Sequence, residues 1–216
     1  MVKSRPAVAA SSIKKYNAAY MPKKDFVAGP NAFLKQCLDR IAPQRKKKSS
    51  RRKRFALDIG LGQGRNAMLL VQRGYDTTGI DRSEVGILAA QRMAAARGFR
   101  GRINAVIADT ERFEYGRNRW DLIALLYYPQ PMILIERLKK ALRPGGYIVV
   151  ERFSNPKSIN PLDDRETRRP SPMLRSFLDW HVLHYENDVL KSDWHWNGQS
   201  PTGPIVRLLA RKPWRG

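Results

Sequence analysis

The chain has 216 residues, of which 42% are apolar, and it carries a formal net charge of +22. This length is typical of one domain with an appendage and allows a sizeable core. A single cysteine, Cys37, excludes an internal disulfide, and no apolar run approaches the ~20 residues needed to cross a bilayer. We therefore expect a cytoplasmic protein without a membrane partner; the composition leaves the oligomeric state open.

Residues 1–44 are predicted to form a tail followed by helices. The first 24 residues contain no acidic residue, a composition that organelle transit peptides share with solvated tails, and we favour the tail. Gly29-Pro30-Asn31 is a helix breaker followed by a good N-cap residue. Apolar residues then recur at helical spacing up to Ile41. Cys37 lies on this apolar stripe, so we interpret it as a core residue rather than a nucleophile.

Residues 45–54 form a basic segment in which eight of the ten residues are lysine or arginine. Such a segment repels itself, and we interpret it as a solvated linker. The alternative is a contact with the phosphates of a nucleic acid, which would add salt-sensitive affinity. No aromatic residue interrupts the segment, so stacking on bases is unsupported.

The most informative stretch runs from Phe55 to Leu70. It predicts a short buried strand at about 55–59, a turn with alternating glycines, and a helix at about 64–73. Glycines at such a turn let the backbone approach a ligand closely and direct its N–H groups toward it. A dinucleotide-binding turn has the pattern G-x-G-x-x-G, whereas Arg65 occupies the place of its third glycine here. This spacing disfavours a dinucleotide oxidoreductase.

Asp58 stands two residues before the first of these glycines, at the end of the apolar strand. An unpaired carboxylate is costly in such a place. A carboxylate there repels a pyrophosphate and suits a ligand that carries positive charge.

Further short strands alternate with helices and are followed by polar residues. Strands are predicted at 76–80, 102–108, 120–126 and 147–153, with helices at 84–97 and from Met132 to Leu142. Residues 154–172 read as a long loop, and we expect them to be a substrate cap because they leave the ligand edge of the sheet. A short helix at 173–178 and two strands at 180–185 and 205–210 complete the chain.

The turn with the pattern D-x-G-x-G-x-G resembles motif I of the class I S-adenosylmethionine-dependent methyltransferases. The sequence Gly64-Arg-Asn-Ala67 is similar to the small-molecule branch that includes the tellurite-resistance and thiopurine-type enzymes. The phrase Leu142-Arg-Pro-Gly-Gly-Tyr-Ile-Val-Val150 recurs in the same class. The resemblance covers roughly residues 55–212. It implies an α/β fold with a doubly wound, mostly parallel seven-stranded sheet, a C-terminal antiparallel hairpin and an N-terminal helical lid, in which residues 55–216 form the methyltransferase domain.

The cofactor implied by the resemblance is S-adenosyl-L-methionine, whose ammonium and sulfonium suit Asp58. Asp81 lies 21 residues after Gly60, the spacing at which a carboxylate binds a ribose hydroxyl pair in related α/β folds. In the resembled class an acid at the place of Asp109 binds the adenine amine, and the following backbone N–H binds a ring nitrogen; alternatively, Asp109 merely starts a turn. The candidate cofactor residues are Asp58, Gly60, Gly62, Gly64, Arg65, Asn66, Asp81, Arg82, Asp109, Thr110 and Leu126, with Arg82 expected to lie on the adenine face.

Aromatic residues supply the candidate substrate contacts. By the resemblance, an N-terminal lid would cover the site through Tyr16, Tyr20 and Phe26; alternatively, these residues anchor a tail on the core. Tyr127 and Tyr128 follow the fourth strand, at the edge where open α/β sheets bind ligands. Trp194 and Trp196 would either wall the same pocket or seal the C-terminal hairpin.

Methyl transfer from a sulfonium neutralises charge, so it requires aligned reactants and a dry site more than acids and bases. A soft anion of the sulfur, arsenic or tellurium type needs positioning alone, whereas a hydroxyl needs a general base. The candidate bases are Tyr127, Tyr128, His181, His184 and His195, and we assign none of them. His181 and His184 are expected on opposite faces of a strand. No metal-ligand spacing is present.

The sequence thus favours a methyltransferase for a small-molecule acceptor. The alternatives are an RNA methyltransferase that uses the basic arm and a non-catalytic cofactor-binding protein. Tyr127-Tyr-Pro-Gln130 stands where amino-group methyltransferases of bases and glutamine carry Asn/Asp-Pro-Pro-Tyr, which disfavours that branch. The acceptor itself cannot be read from the chain.

Overall fold

The computed structural model describes residue 17 and residues 29–41, 52–129, 131–154, 171–193 and 200–214. Several predicted features lie outside these residues and stay predictions. They are most of the basic segment and of the cap loop, together with Tyr16, Tyr20, Phe26, Trp194, His195 and Trp196.

The described elements alternate between strands and helices as expected from the sequence. In chain order they are α1 (Ala32–Ile41), β1 (Phe55–Ile59), α2 (Arg65–Gln72), β2 (Asp76–Asp81), α3 (Glu84–Ala96), β3 (Ile103–Ile107), β4 (Trp120–Leu126), a 3-10 turn (Pro131–Ile133), α4 (Ile135–Ala141), β5 (Leu142–Phe153), α5 (Pro172–Arg175), β6 (His181–Lys191) and β7 (Thr202–Arg211). The segment from 132 to 142 was expected to form one helix. It divides into the 3-10 turn and α4, and Met132 and Ile133 remain exposed because they precede the helix that packs.

The strands form one seven-stranded sheet in the order β3-β2-β1-β4-β5-β7-β6. The first five strands along the chain pair with one another in parallel, and β7 is antiparallel to both β5 and β6. This confirms the predicted doubly wound sheet with its C-terminal hairpin. The strand order reverses between β1 and β4, so the carboxyl ends of these two strands define the crevice in which such sheets bind ligands.

Two apolar layers cover the two faces of the sheet. One face packs on α1 and α2, and the other on α4, α5 and the buried Trp120. Cys37 lies in the first layer, where only 2% of it is exposed, and burial raises the pKa of its thiol to about 12. Its interpretation as a core residue is confirmed. No helix among the described residues is both long enough and apolar enough to span a membrane.

The C-terminal hairpin is longer than its apolar pattern predicts. Residues 186–191, four of which are polar or charged, continue β6 as the edge strand, since their backbones pair with β7. The pairing of β6 with β7 is irregular between Val182 and His184. Val182 pairs with Ala210 and His184 pairs with Leu209, so β6 has one extra residue at this point. The extra residue places His181 and His184 on the same face. The expectation of opposite faces is therefore wrong, because alternation assumes an uninterrupted ladder.

Candidate cofactor and acceptor site

The glycine turn after β1 has a left-handed backbone at each of its three glycines. The φ angles are 80° at Gly60, 52° at Gly62 and 84° at Gly64, a region that side chains other than glycine rarely adopt. The turn also packs tightly on β2. A Cβ at Gly79 would lie 2.3 Å from the side chain of Leu61 in the turn. Glycine in both segments therefore allows the loop to lie against the end of the neighbouring strand.

Asp58 is a buried carboxylate next to this turn. Only 1% of it is exposed, and its Oδ2 has no hydrogen-bond partner within the described residues. Burial raises the pKa of Asp58 to about 8, although the positive charge of Arg65 opposes the shift. An unpaired carboxylate oxygen of this kind suits a ligand that brings a cationic donor.

Asp81 joins the end of β2 to the glycine turn. Its Oδ2 accepts a hydrogen bond from the backbone N–H of Gly62 at 2.8 Å, and its Oδ1 accepts one from Ser83, also at 2.8 Å. The Ser83 hydroxyl in turn donates to Oδ1 of Asn17 at 2.7 Å. Asn17 therefore lies at the end of the cleft where Asp81 is expected to bind the ribose.

Arg82 and Asp109 form an ion pair across the ends of β2 and β3, with Nη2 and Oδ1 2.6 Å apart. Partial burial disfavours the ionised form of Asp109, but the hydrogen bonds from Arg82 and Glu111 and the nearby arginine charges together outweigh it and lower the pKa. The same Oδ1 accepts the N–H of Glu111, so Asp109 also starts a turn. Thr110 is buried, and its hydroxyl lies 2.6 Å from that of Tyr128. The structure thus brings the ends of β2, β3 and β4 together.

A second polar cluster lies at the beginning of α2, on the other side of the glycine turn. Arg65 contacts the carbonyl of Gly29 at 3.2 Å and the carboxylate of Asp193 at 3.3 Å. Asn66 accepts a hydrogen bond from the backbone N–H of Asn31 at 2.9 Å. These contacts hold the N-terminal segment and the end of the β6 hairpin arm against the glycine turn.

Glu151, at the carboxyl end of β5, is fully buried beside this cluster. Its carboxylate accepts hydrogen bonds from the Asn31 amide at 2.6 Å and from Nε of Arg207 at 2.5 Å. Burial and the negative charge of Glu151 raise the pKa of Tyr127 above its ordinary value. Tyr127 has a φ of 53°, a left-handed conformation that costs energy for a bulky residue.

The sequence interpretation missed Asn31, Glu151, Asp193 and Arg207 as members of the site. One signal was present: Glu151 interrupts an apolar strand, as Asp58 does in β1. The other three residues give no local signal, because only the folded chain brings them to the same edge. Leu126, which was expected there, is buried at the end of β4.

The two described histidines do not strengthen the case for a general base. His181 is exposed and pairs with Arg211 of β7. Arg211 in turn pairs with Tyr147, which lies toward the other end of β5 from Glu151. His184 packs on Phe33, with ring centroids 5.2 Å apart. Within the described ranges, no three His, Cys, Asp or Glu side chains group as metal ligands.

The fold and the site together define a class of protein. A parallel sheet with a glycine turn at its switch point, acids after successive strands and a C-terminal antiparallel hairpin is the fold of the class I S-adenosylmethionine-dependent methyltransferases. Residues 56–146 match the family described as a methyltransferase domain. This match and the TehB relatives support a methyltransferase of this class, with S-adenosylmethionine as the cofactor and a relation to the TehB type.

Two curated relatives match most of the chain. The chain is 25% identical to Hemagglutinin 1 of Eikenella corrodens over 202 residues, which are 91% of this chain and 64% of that protein. It is 26% identical to the probable S-adenosyl-L-methionine-dependent methyltransferase TehB of Haemophilus influenzae over 165 residues, covering 72% of this chain and 56% of TehB. These curated relatives are longer: the chain spans less than two thirds of the length of each.

Solved structures show the same fold. The TehB crystal structure from Haemophilus influenzae has a TM-score of 0.63 at 22% identity and covers 82% of this chain and 62% of that one. A structure reported for the conversion of a disulfide bond into a thioacetal group during echinomycin biosynthesis has a TM-score of 0.66 at 18% identity. It covers 95% of this chain and 91% of that one.

Proposed function

We propose that this protein transfers a methyl group from S-adenosylmethionine to a small-molecule acceptor. The observation that carries the proposal is Asp58, a buried carboxylate beside a left-handed glycine turn, one of whose oxygens has no hydrogen-bond partner among the described residues. In this fold, that arrangement fits a cofactor with a cationic amino-acid end. When bound, S-adenosylmethionine supplies an electrophilic methyl group on a sulfonium.

The proposed cofactor contacts follow the carboxyl ends of β1, β2 and β3. Asp58 and the glycine turn would hold the amino-acid end, Asp81 the ribose hydroxyls, and Asp109 with the N–H of Thr110 the adenine edge. Arg82 is held near this last position by its ion pair with Asp109. Asp109 can pair with Arg82 and bind the adenine amine at the same time, because a carboxylate has several acceptor positions.

The proposed acceptor side lies at the ends of β4 and β5, near Tyr127 and Tyr128. The Tyr127 hydroxyl is protonated at neutral pH, and burial together with Glu151 raises its pKa further, so it is poorly suited to act as a base. This fits an acceptor that is itself a soft anion, such as a thiolate or an arsenic- or tellurium-type anion. Transfer then depends on in-line positioning and on exclusion of water.

A second candidate is RNA methylation, which the excess of basic residues in positions 45–54 favours. The last three residues of this segment, 52–54, lead directly into the amino end of β1. The candidate site lies at the opposite end of the same strand. The basic segment therefore enters the sheet away from the cofactor edge, which makes the small-molecule acceptor the better-supported proposal.

The test is a screen with methyl-labelled S-adenosylmethionine over thiols, phenols, amines, oxyanions and RNA, with calorimetry of cofactor binding. We expect binding and transfer to one small-molecule class, and weaker binding and transfer in Asp81→Ala. Asp76→Ala is the matched control, since it removes a carboxylate from the other end of the same strand. Binding without any product would favour a non-catalytic protein. Absence of binding, or tight binding of a nicotinamide dinucleotide, would overturn the proposal.

A further inference from the structure

A cavity of about 350 Å³ lies at the amino edge of the sheet, opposite the cofactor site. It is bordered by the first residues of β1 to β4 and by the residues just before them. The residues that line it include Phe55, Asp76, Thr78, Arg102, Asn104, Arg119, Trp120 and Arg143. We call this feature the amino-edge groove. It belongs to neither the cofactor nor the acceptor side described above.

The amino-edge groove carries an excess of positive charge. Arg102, Arg119 and Arg143 line it. Arg52 and Lys53 share carboxylate partners with two of these arginines. Asp121 pairs with Arg52 and with Arg143, the latter at 3.0 Å. Asp76 pairs with Arg102 at 3.1 Å and with Lys53 at 3.7 Å. Four cations thus share two carboxylates. With Arg119, which lies over the Trp120 ring, five cations stand against two acids, a net charge of +3 among these groups.

These ion pairs are weak enough to be exchanged for a ligand. The side chains of Arg52, Lys53 and Arg102 are 52%, 80% and 43% exposed. Ion pairs of this exposure contribute little to stability, because water screens them. The cations can therefore turn from the carboxylates to phosphates, whose binding releases counterions.

The last three residues of the basic segment, 52–54, lead to the same place. Residues 45–54 contain eight lysines and arginines, and the described part, 52–54, immediately precedes Phe55 at the groove. Polar side chains also line the groove. They include Asn104, which is exposed, and Thr78, its partner on β2. Hydroxyl and amide groups are suited to the 2′-hydroxyls that distinguish RNA.

We propose that the amino-edge groove binds the backbone of a single-stranded RNA. β1 has five residues, so the groove and the cofactor edge are separated by about 15 Å at the rise of a strand. In this proposal the RNA anchors the protein and is not the methyl acceptor. This binding is independent of the proposed methyl transfer, and it can be measured without cofactor.

The test uses the full chain and a fluorescently labelled single-stranded RNA, with affinity measured by anisotropy from about 50 to about 200 mM salt. The groove variant is Arg52→Gln/Lys53→Gln/Arg119→Gln. The matched control, Lys35→Gln/Arg40→Gln/Arg175→Gln, removes the same residue types from exposed positions on α1 and α5. Three lost phosphate contacts should reduce the slope of log K against log salt by about 2 in the groove variant, at ~0.7 per contact, and leave the control near wild type.

A second variant separates charge from fold. Arg52→Lys/Arg119→Lys keeps the positive charges and should keep the wild-type slope, while thermal melting checks that all variants fold. Absence of RNA binding at the lowest salt would overturn the proposal. So would equal losses in the groove and control variants, equal affinity for DNA of the same sequence, or equally effective competition by polyglutamate.

Discussion

The amide of Asn31 donates a 2.6 Å hydrogen bond to the carboxylate of Glu151, although 120 residues separate the two in sequence. Asn31 also caps α1, since its Oδ1 accepts the N–H of Leu34 at 2.7 Å. One side chain therefore begins the first described helix and satisfies a fully buried acid at the carboxyl end of β5. This contact holds the N-terminal segment at the candidate site.

We expect Asn31→Ala to lower the free energy of unfolding by about 2 kcal/mol or more, because it removes a helix cap and a partner of a buried carboxylate. Asn31→Ser keeps a capping oxygen but lacks the amide donor, and it should recover only part of the loss. Urea unfolding of the three proteins measures this. Full recovery in Asn31→Ser would show that the contact with Glu151 contributes nothing.

The raised pKa of Asp58 predicts how stability depends on pH. Between its ordinary value near 4 and about 8, the folded carboxyl holds a proton that the unfolded chain has released. The contribution of Asp58 to stability is therefore present at low pH and is lost as the pH rises through about 8. Relative to wild type, Asp58→Asn should become progressively more stable over this window in the absence of cofactor. Parallel stability curves for the two proteins would contradict the buried, protonated state.

The same carboxyl predicts a proton release on cofactor binding. At neutral pH a cationic ligand should favour the ionised form of Asp58, so binding should expel its proton. Calorimetry in buffers of different ionisation enthalpy measures that proton. We expect Asp58→Asn to bind more weakly and to release less than the wild type; an equal release in both would place the titrating group elsewhere.

Asp81→Ala should weaken S-adenosylmethionine binding by ~1–3 kcal/mol, because it removes the acceptor expected to bind the ribose and the existing partner of the Gly62 N–H. Asp76→Ala is the control and should leave calorimetric affinity unchanged. Adenosine alone should show the same loss as the full cofactor. Unchanged affinity in Asp81→Ala would mean that the ribose lies elsewhere.

Tyr127→Phe tests whether a tyrosine acts as the general base. Because the pKa of the Tyr127 hydroxyl is raised, this side chain stays protonated, and its removal should not change the pH dependence of kcat/KM. We expect a changed KM for the acceptor if the hydroxyl donates a hydrogen bond to it. Loss of a titration step in the pH profile would instead assign Tyr127 the role of base.

Much of the fold could be predicted from local sequence. The apolar run of β4 and the glycines after β1 determine buried strands and a left-handed turn through side-chain size and backbone freedom alone. The position of Asp58 at the end of β1 could likewise be predicted from local sequence. These features depend on residues that are neighbours along the chain, which is why their bounds agree closely with the structure.

Contacts between distant segments could not be predicted in this way. The Glu151 cluster, the bulge that places both histidines on one face and the amino-edge groove depend on strand order and register, which bring together residues far apart in sequence. The local sequence pattern determined the left-handed backbone of the glycine turn and the presence of acidic residues after the strands. Only the tertiary structure decided which side chains satisfy those acids, because burial, pairing and exposure depend on what packs against each residue.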